Sequence, residues 1–255
     1  MTAQHTNPSD THLNVSGKPL KIGVVVVAAG RGSRASDYSS GPKQYFKLGS
    51  QTLLERTLRA LLAGIEGVEA SLLTVIHADD GDLYEAAIPA ELRAAICSPT
   101  HGGGTRQASV LSGLEALAET KPDVVLVHDA ARPFVSPKIV ASLIERAAAG
   151  YASLPLLPVH DTVKRVKSGV VEETIDRSRL GLAQTPQAFP FEHILDLHRK
   201  AASLDHEFTD DIAIAEHFGV PIHAVAGDPN NIKLTTPEDM RKAQAMLAPT
   251  LPDIR

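Results

Sequence analysis

The chain has 255 residues, 43% of them hydrophobic, and a formal net charge of −5 at pH 7. This size allows one large α/β domain with a full core, while the negative balance argues against a nucleic-acid partner. The single cysteine, Cys97, excludes a disulfide framework or a cysteine zinc site. Local basic clusters are therefore expected to bind small anions.

The beginning of the chain, residues 1–20, mixes polar side chains without an apolar centre. It has the features of neither a signal peptide nor a membrane span, and we expect a disordered tail. The most apolar run, 22–29, is far shorter than the roughly 20 residues of a membrane helix. We therefore expect a soluble, cytoplasmic protein without a membrane partner.

Apolar runs of strand length then alternate with amphipathic helical stretches. The alternation predicts a three-layer α/β fold with a mostly parallel sheet. Thr236 and Pro237, with an acid three residues past the cap, form the signature of a helix start. The predicted strands are 22–29, 72–77, 124–127, 154–159 and 220–226, and the predicted helical stripes cover 53–63, 110–117, 139–147 and 237–247.

Residues 161–187 interrupt this alternation. Two short strand patterns, 163–167 and 170–175, flank Ser168-Gly169, which is typical of a β-hairpin. The hairpin has too few apolar residues to pack on itself, and an isolated hairpin is marginally stable in water. We therefore expect a protruding arm that is held by another surface, such as that of a second subunit.

The first candidate site follows the first predicted strand. Residues 28–34 read Ala-Ala-Gly-Arg-Gly-Ser-Arg, and Pro-Lys-Gln-Tyr follows at 42–45. Glycines let a backbone approach an anion closely, and Arg34 and Lys43 supply positive charge for transfer at phosphorus. The pattern favours a nucleotide triphosphate site, with an ordinary glycine turn and a solvated arginine as the alternative.

The same glycines have the spacing of a dinucleotide-binding fingerprint, Gly30-x-Gly32-x-x-Ala35. That fingerprint opens a helix at once and places an acidic residue about 20 positions on, at the end of a second strand. Turn-forming residues occupy 36–42 instead, and Glu55 lies in a helical pattern. A Walker A loop is excluded, because no G-x-x-x-x-G-K-[ST] sequence occurs.

Two more clusters carry candidate chemistry in the middle of the chain. A glycine-rich turn at 102–104 leads into a helix, whose exposed amides suit a base edge or a phosphate. Asp129 ends a buried strand, where open α/β sheets bind ligands, so it is a candidate for Mg²⁺ or a ribose hydroxyl. Arg132 is a candidate for holding this aspartate. A flexible helix entry and a purely structural ion pair are the alternatives.

The last two clusters lie in the arm and near the end of the chain. Arg177 and Lys233 are candidate anion clamps, although single charges of this kind are more often only solvated. Histidine metal binding and Ser-His-Asp hydrolysis are not expected, because neither an H-E-x-x-H spacing nor a G-x-S-x-G elbow occurs. The other members of the two clusters are Asp161, Thr162, Asp176, Thr209, Asp210, Asp211, Asn231 and Ile232.

Together these motifs resemble those of the methylerythritol phosphate cytidylyltransferases of the non-mevalonate isoprenoid pathway, from about residue 22 to 247. In chain order they read A-A-G-x-G-x-R, P-K-Q-Y, G-G-x-x-R-x-x-S-V, H-D-A-A-R-P, D-T-x-K, T-x-D-R, T-P-Q and N-I-K-x-T. The resemblance implies a Rossmann-like nucleotidyltransferase fold, CTP and a sugar-alcohol phosphate as substrates, and Mg²⁺ or another divalent cation. It also implies a homodimer with exchanged arms.

The resemblance further implies a role for each matching residue. Arg34 and Lys43 would stabilise the transition state, and Thr162 and Arg177 would come from the partner's arm. Lys233 would bind the nucleotide and would also hold the substrate phosphate. The implied nucleotide-binding residues are Ala28, Ala29, Gly30 and Gly32 at the triphosphate, Gly103, Gly104 and Ser109 at the cytosine, Asp129 (also a candidate Mg²⁺ ligand) and Arg132 at the ribose, and Lys233; the implied substrate-binding residues are Thr162, Arg177, Thr185 and Thr209.

A few positions depart from the family pattern. Gly104 stands where many members have an acidic residue, so a base contact by that side chain is absent while backbone contacts survive. Asn230 replaces a common aspartate, Gly181-Leu182 lacks an aromatic residue, and the loop 35–41 is longer than in many members. With Gly104 at this position, the sequence leaves the strictness of CTP selectivity open.

The implied reaction transfers CMP from CTP to 2-C-methyl-D-erythritol 4-phosphate. A pentitol (ribitol) phosphate cytidylyltransferase and a non-catalytic nucleotide-binding regulator are the alternatives. Residues 251–255 resemble the junction of fused members, in which a cyclodiphosphate synthase domain with a zinc-binding Asp-x-His motif follows. We therefore expect a cytidylyltransferase domain at 21–248, with the arm at 161–187, and a tail or linker at 249–255.

Overall fold

The computed structural model describes residues 18–31 and 41–247. Most of the predicted tail at 1–20 lies outside the described residues, as do Gly32, Arg34 and the segment 249–255. The strands are β1 (Lys21–Val27), β2 (Lys47–Leu48), β3 (Gln51–Thr52), β4 (Glu69–Ile76), β5 (Thr100–His101), β6 (Val124–Asp129), β7 (Ala152–Pro158), β8 (Val163–Lys167), β9 (Val170–Ile175), β10 (Gly181–Ala183), β11 (Gln187–Pro190) and β12 (Ile222–Ala226). The helices are α1 (Leu53–Gly64), α2 (Gly81–Ala87), α3 (Ala90–Ala94), α4 (Arg106–Leu117), α5 (Pro137–Ala148), α6 (Phe191–Ala201), α7 (Asp211–His217) and α8 (Pro237–Leu247).

Within these ranges, eight strands form one mixed sheet. Strands β6, β1, β4 and β5 lie side by side in this order and run parallel. Strand β11 is antiparallel to both β6 and β7, β10 is antiparallel to β7, and β12 is parallel to β7. The predicted parallel sheet is thus confirmed for the half that contains β1, while the other half contains antiparallel strands.

Helices cover both faces of the sheet. In β1, Val24 and Val26 pack in the apolar cluster that contains the buried residues of α1 and α5, whereas Val25 packs with those of α4, α6 and α7. All three valines are completely buried. A strand that is buried on both faces requires such a continuous apolar run. The three-layer architecture follows from this pattern.

The start of the last helix is confirmed by a reciprocal pair of hydrogen bonds. The backbone N–H of Asp239 donates to Oγ1 of Thr236 at 3.2 Å, and the N–H of Thr236 donates to Oδ2 of Asp239 at 2.8 Å. Helix α8 then packs through Ala243 in a third apolar cluster, with Leu48 and Leu53. None of the helices in the described ranges is both long and apolar enough to cross a membrane.

The predicted arm is a two-stranded hairpin of β8 and β9. Its turn has positive φ at both central residues, 47° at Ser168 and 82° at Gly169, as the tight hairpin turns require. Strands β8 and β9 pair only with each other in the described part of the chain. Val166, Val170 and Val171 are 56 to 67% exposed. The hairpin is confirmed, and its second-subunit partner stays a prediction.

Candidate functional site

The candidate site lies where the parallel strands β1, β4, β5 and β6 end. Because parallel strands present their carboxyl ends on the same side of a sheet, the segments that follow them converge there. The glycine loop follows β1, the acidic pair Asp79-Asp80 follows β4, the glycine turn 102–104 follows β5, and Asp129 is the last residue of β6. The fold therefore brings together motifs that are far apart in the chain.

The glycine loop after β1 and the glycine turn after β5 touch each other. Both are held by β4: the N–H of Ala28 donates to the carbonyl of Val75, and that of Gly102 to Ile76, each at 2.8 Å. A Cβ atom at Gly102 would lie 2.6 Å from Cβ of Ala29. Such an approach is closer than real Cβ atoms allow, so the contact between the two segments requires glycine here.

Two other glycines of these segments face open space. A Cβ atom at Gly30 or Gly104 would meet no heavy atom of the described residues within 4 Å. Packing inside the protein thus does not explain either glycine, whereas a ligand that lies against the backbone would. A side chain at the position of Gly104 would have room here. Because Gly103 and Gly104 carry none, the turn offers backbone groups to a ligand.

The glycine turn leads into α4, as predicted. Oγ1 of Thr105 accepts a hydrogen bond from the N–H of Ala108 at 3.1 Å and caps the helix. Ser109 is 2% exposed, and its hydroxyl donates to the carbonyl of Thr105 at 2.9 Å. Ser109 therefore stabilises the turn from its buried side. Its direct contact with a base stays a prediction.

Lys43 begins a short 3₁₀ helix, Lys43–Tyr45, directly beside the glycine loop. The side-chain amide of Gln44 donates to the carbonyl of Ala28 at 2.6 Å and lies 3.4 Å from that of Gly30. These hydrogen bonds fix the segment that carries Lys43 against the loop. The other predicted catalytic residue, Arg34, lies outside the described residues.

Arg31 of the glycine loop is exposed but pairs with the two acidic residues after β4. Its guanidinium lies 3.2 Å from Oδ1 of Asp80 and 3.1 Å from Oδ2 of Asp79. Asp80 is fully buried. The pKa of Tyr45 is raised, mainly because the phenol is buried and also because the negative charge of Asp80 lies close to it. Both ends of the segment 31–45 thus converge on Asp80. No motif in the sequence indicated this buried carboxylate.

Asp129 lies between two cations. Oδ1 is 3.3 Å from Nε of Arg106, and Oδ2 is 2.7 Å from Nζ of Lys233, while the Asp129 side chain is 12% exposed. Burial by itself would raise the pKa of Asp129, but the charges of Arg106 and Lys233 outweigh it and hold this pKa far below its usual value. Asp129 is therefore a fixed negative charge at the ligand-binding end of the sheet.

The prediction that Arg132 holds Asp129 is wrong. Nη1 of Arg132 donates to the carbonyl of Asn231 at 2.8 Å, and Nη2 donates to that of Ala183 at 3.4 Å. A turn closed by the N–H of Arg132 and the carbonyl of Asp129 redirects the chain between the two residues. Arg106 is the arginine of the motif G-G-x-x-R-x-x-S-V, but the sequence analysis assigned it no role and missed its contact with Asp129.

Thr185 and His128 hold the backbone of Asp129. Oγ1 of Thr185 accepts from the N–H of Asp129 at 3.1 Å and lies 3.0 Å from Nδ1 of His128. Burial lowers the pKa of His128 to about 4. Because Nε2 faces the carbonyl of Arg132 at 3.0 Å, the imidazole proton lies on Nε2 and the Thr185 hydroxyl donates to Nδ1. A substrate contact by the buried Thr185 stays a prediction.

The predicted substrate-binding residues fall into separate groups. Thr209 is exposed and directly precedes Asp210, whose side chain caps α7. Thr162 and Arg177 lie at the base of the arm, where Arg177 donates to the carbonyl of His160. No contact between described residues joins Thr162 or Arg177 to Asp129. The roles of Thr162, Arg177 and Thr209 at a substrate phosphate stay predictions.

The donor chemistry at Asp129 suits a hard divalent cation. In the described ranges, no group of three or more His, Cys, Asp and Glu side chains is arranged to hold a metal ion. Magnesium in nucleotide enzymes is often bound through only one or two carboxylates together with substrate phosphates. The ionised carboxylate of Asp129 fits that mode, since it supplies hard oxygen donors where the sheet binds ligands.

Comparisons with known proteins agree with this geometry. The family described as 2-C-methyl-D-erythritol 4-phosphate cytidylyltransferase matches residues 22–249. A bifunctional enzyme IspD/IspF of Bradyrhizobium diazoefficiens is 48% identical over 240 residues, which are 93% of this chain and 58% of that relative. A bifunctional enzyme of the same name from Allorhizobium ampelinum is 47% identical over 96% of this chain and 60% of its own length. The chain thus spans less than two thirds of these relatives.

A solved structure has the same fold. The 4-diphosphocytidyl-2C-methyl-D-erythritol synthase of Anaerococcus prevotii has a TM-score of 0.75 and 28% identity, and the match covers 89% of this chain and 96% of that one. Its mixed sheet with flanking helices corresponds to the predicted nucleotidyltransferase fold, which is confirmed. The chain therefore belongs to the 2-C-methyl-D-erythritol 4-phosphate cytidylyltransferase family.

Proposed function

We propose that the chain transfers CMP from CTP to 2-C-methyl-D-erythritol 4-phosphate, forming 4-diphosphocytidyl-2-C-methyl-D-erythritol and pyrophosphate. One observation carries the proposal. The ionised carboxylate of Asp129 is held by Arg106 and Lys233 at the end of β6, and two glycine segments with open space at Gly30 and Gly104 follow the parallel strands β1 and β5 at the same edge of the sheet. A nucleotide needs this combination of backbone amides, fixed cations and one carboxylate.

The two glycine segments are proposed to bind different parts of the nucleotide. The loop after β1 offers the amides of Ala29 and Gly30 to the triphosphate, with Lys43 beside it on the 3₁₀ helix that Gln44 fixes to Ala28. Arg34 is proposed to add a second cation. Gly103 and Gly104 of the turn, with the start of α4, offer their amides to the cytosine, and Arg132 is proposed at the ribose.

The chemistry needs no strong general base. A phosphate monoester has a second pKa near 6, so the substrate is mostly a dianion at neutral pH. One of its oxygens attacks the α-phosphorus of CTP in line, the new P–O bond forms, and the bond to the bridging oxygen breaks so that pyrophosphate leaves. The protein acts by alignment and by offsetting charge. Lys43, Arg34 and Lys233 supply that charge.

A divalent cation, Mg²⁺ as the expected ion, completes the proposed site. When bound, it would offset negative charge on the phosphate oxygens of the nucleotide. Asp129 is the residue of this chain that would hold it, because its carboxylate is ionised and fixed by neighbouring cations. The hydrogen bond between Oγ1 of Thr185 and the N–H of Asp129 keeps the carboxylate at the end of β6.

A homodimer joined through the arm is part of the proposal. Val166, Val170 and Val171 of the hairpin, together with Leu182 of β10, are exposed apolar side chains, and water-exposed groups of this kind commonly mark a protein interface. The partner's arm would bring Thr162 and Arg177 to the phosphate of the sugar substrate, which Thr209 and Lys233 would contact from the first subunit.

Two further points rest on the comparisons and the composition. The relatives are named bifunctional IspD/IspF, and this chain covers 58 to 60% of their length. We propose that the activity works with a fused or associated cyclodiphosphate synthase. We also propose a cytoplasmic location, since a single cysteine suits a reducing compartment.

Pyrophosphate release tests the proposed function. The purified chain is incubated with Mg²⁺, each of the four nucleoside triphosphates, and either 2-C-methyl-D-erythritol 4-phosphate or ribitol 5-phosphate. We expect turnover with CTP and the methylerythritol substrate to exceed every other combination by at least about 100-fold in kcat/KM, the scale on which buried polar contacts discriminate substrates. Faster turnover of ribitol phosphate, or no turnover at all, would contradict the proposal.

A further inference from the structure

A chain of alternating charges, with a buried histidine at its inner end, extends inward from the active-site aspartate. Arg106 contacts Asp129 through Nε at 3.3 Å and, through Nη2, also donates to Oδ2 of Asp211 at 2.8 Å. The second oxygen of Asp211, Oδ1, lies 3.3 Å from Nε2 of His198. With Lys233 on the outer oxygen of Asp129, the order from the surface inward is Lys233, Asp129, Arg106, Asp211 and His198.

The inner members of this chain are cut off from water. The side chains of Asp211 and His198 are 1% and 0% exposed. Burial would raise the pKa of Asp211, but the charge of Arg106 and the contact with His198 outweigh it and lower this pKa to about 2. An ionised carboxylate at such depth costs several kcal/mol unless it is paired. Arg106 is thus held firmly from the inside.

Asp211 is itself fixed on the backbone side. Oε1 of Gln187 accepts hydrogen bonds from the N–H of Asp211 at 3.1 Å and of Ile212 at 3.0 Å. The amide of Gln187 donates to Asp210 at 2.7 Å. The start of α7 is therefore tied to β11, which is paired with β6. Neither end of the contact between Arg106 and Asp211 is free to shift independently of the sheet.

The two helices joined by Arg106 carry different halves of the proposed site. Arg106 is the first residue of α4 and follows the glycine turn at 102–104, which is proposed to hold the cytosine. Asp211 is the first residue of α7 and follows Thr209-Asp210, where Thr209 is proposed to hold the sugar phosphate. One guanidinium therefore links the nucleotide half to the substrate half, through residues 105 positions apart in the chain.

We propose that Arg106, held by Asp211, is a positioning residue that fixes the nucleotide half of the site relative to the substrate half. The inference rests on the proposed transferase function. In-line attack requires both ligands to be aligned to a fraction of an ångström, and small displacements lower the rate steeply. A lysine would keep the charge, but a single ammonium cannot span two carboxylates as the planar guanidinium does.

The experiment compares two arginine-to-lysine variants of the whole chain. Arg106→Lys removes the bridge. Arg199→Lys is the matched control, because Arg199 of α6 also contacts α4, through two 2.7 Å hydrogen bonds to Glu115, but on the exposed surface. For each variant we measure kcat with CTP and methylerythritol phosphate, the Kd of CTP alone by calorimetry, and thermal unfolding.

We expect Arg106→Lys to lower kcat by about 10- to 100-fold, with the Kd of CTP alone changed by less than about threefold, because each half keeps its own binding groups. Arg199→Lys should leave both quantities at the wild-type value. A normal kcat in Arg106→Lys would overturn the proposal. An equal loss of CTP affinity would also overturn it, because Arg106 would then bind the nucleotide directly.

Asp211→Asn provides a second variant, in which the same split between kcat and CTP affinity is expected. Loss of a buried charge also threatens folding, so kcat is expressed per folded molecule. If Asp211→Asn does not fold, Arg106→Lys alone decides. If kcat per folded molecule is normal in either variant, the chain of charges is only structural and the proposal fails. An inactive wild type would instead refute the proposed function.

Discussion

Gln44 donates a hydrogen bond of 2.6 Å from its side-chain amide to the backbone carbonyl of Ala28. Ala28 directly follows β1, and Gln44 follows Lys43 in the 3₁₀ helix. The hydrogen bond therefore joins the proposed triphosphate loop to the segment that carries a proposed transition-state cation. A charge in such a fixed position acts most strongly on the charge that develops during transfer.

Lys43→Ala is accordingly predicted to lower kcat by about 100-fold or more, with a much smaller effect on CTP affinity, if the charge of Lys43 acts mainly in the transition state. Steady-state kinetics with calorimetric CTP binding checks this. Lys47→Ala, which removes an exposed lysine of β2, should leave both unchanged. An equal loss of kcat and affinity in Lys43→Ala would assign Lys43 to ground-state binding instead.

Arg177→Ala is predicted to raise the KM for methylerythritol phosphate by about tenfold or more, because charge-assisted hydrogen bonds to a phosphate are among the stronger polar contacts. The KM for CTP should stay near its wild-type value. Arg179→Ala is the control, since Arg179 is exposed in the same short 3₁₀ helix, Arg177–Arg179. An unchanged KM for the sugar phosphate would remove Arg177 from the substrate site.

The arm offers a test of the proposed dimer. Val166 and Val171 are paired across β8 and β9 and are 56% and 58% exposed. Val166→Glu with Val171→Glu is predicted to convert the dimer to a monomer, because two charges would be buried against the partner's apolar surface. Analytical ultracentrifugation measures the change. Leu83→Glu, at an exposed site on α2, is the control. A wild type that sediments as a monomer would refute the arm-mediated dimer.

The contact between the two glycine segments is tested by adding one methyl group. Gly102→Ala would place Cβ 2.5 Å from Oγ of Ser109 and 2.6 Å from Cβ of Ala29. We expect a loss of about 1–3 kcal/mol in the free energy of unfolding, as in other overpacked sites. Gly104→Ala meets no described atom within 4 Å and should unfold like the wild type in urea. Equal stability of both variants would show that the turn yields easily.

The reciprocal cap of α8 predicts a pH-dependent effect. Burial would raise the pKa of Asp239, but hydrogen bonds from Thr235 and Thr236 outweigh it and lower the pKa to about 2. Folding therefore favours the ionised form. The resulting stabilisation is fully present above the unfolded pKa near 3.9 and is lost as the pH falls towards 2.

Asp239→Ala is predicted to lower the free energy of unfolding by about 1 kcal/mol at pH 7. In urea titrations the difference from the wild type should be constant down to about pH 5 and shrink below pH 4, following the depressed pKa. Glu238→Ala, which removes an exposed carboxylate that pairs with Arg241, should have a smaller effect. A difference that grows on acidification would contradict the assigned cap.

Sequence patterns predicted the parts of this structure that depend on local chemistry. The apolar run of β1, the turn at Ser168-Gly169 and the cap at Thr236 each follow from neighbouring residues. Strand β5 was missed, because two residues carry no readable periodicity. Strand β11 was missed as well, because it follows a proline and forms only by pairing with β6 and β7.

Long-range pairing limited the prediction of the site in the same way. Asp129 was predicted to be a site residue because it lies at the end of an apolar strand. The partners of its carboxylate, however, depend on the directions of side chains from other elements. Arg132 is close in sequence and turns towards Asn231, whereas Arg106 comes from a different helix. A buried ion pair between distant residues leaves no local pattern by which sequence reasoning could find it.

The line of charges from Lys233 to Asp211, with His198 at its inner end, has a consequence for directed evolution. A library that randomises Arg106 alone would recover few folded members besides arginine and lysine, since each uncharged replacement strands a carboxylate in the interior. Joint randomisation of Arg106, Asp211 and His198 would yield variants with three apolar side chains that fold as well as the parent. These three residues are therefore expected to change as a set rather than one by one.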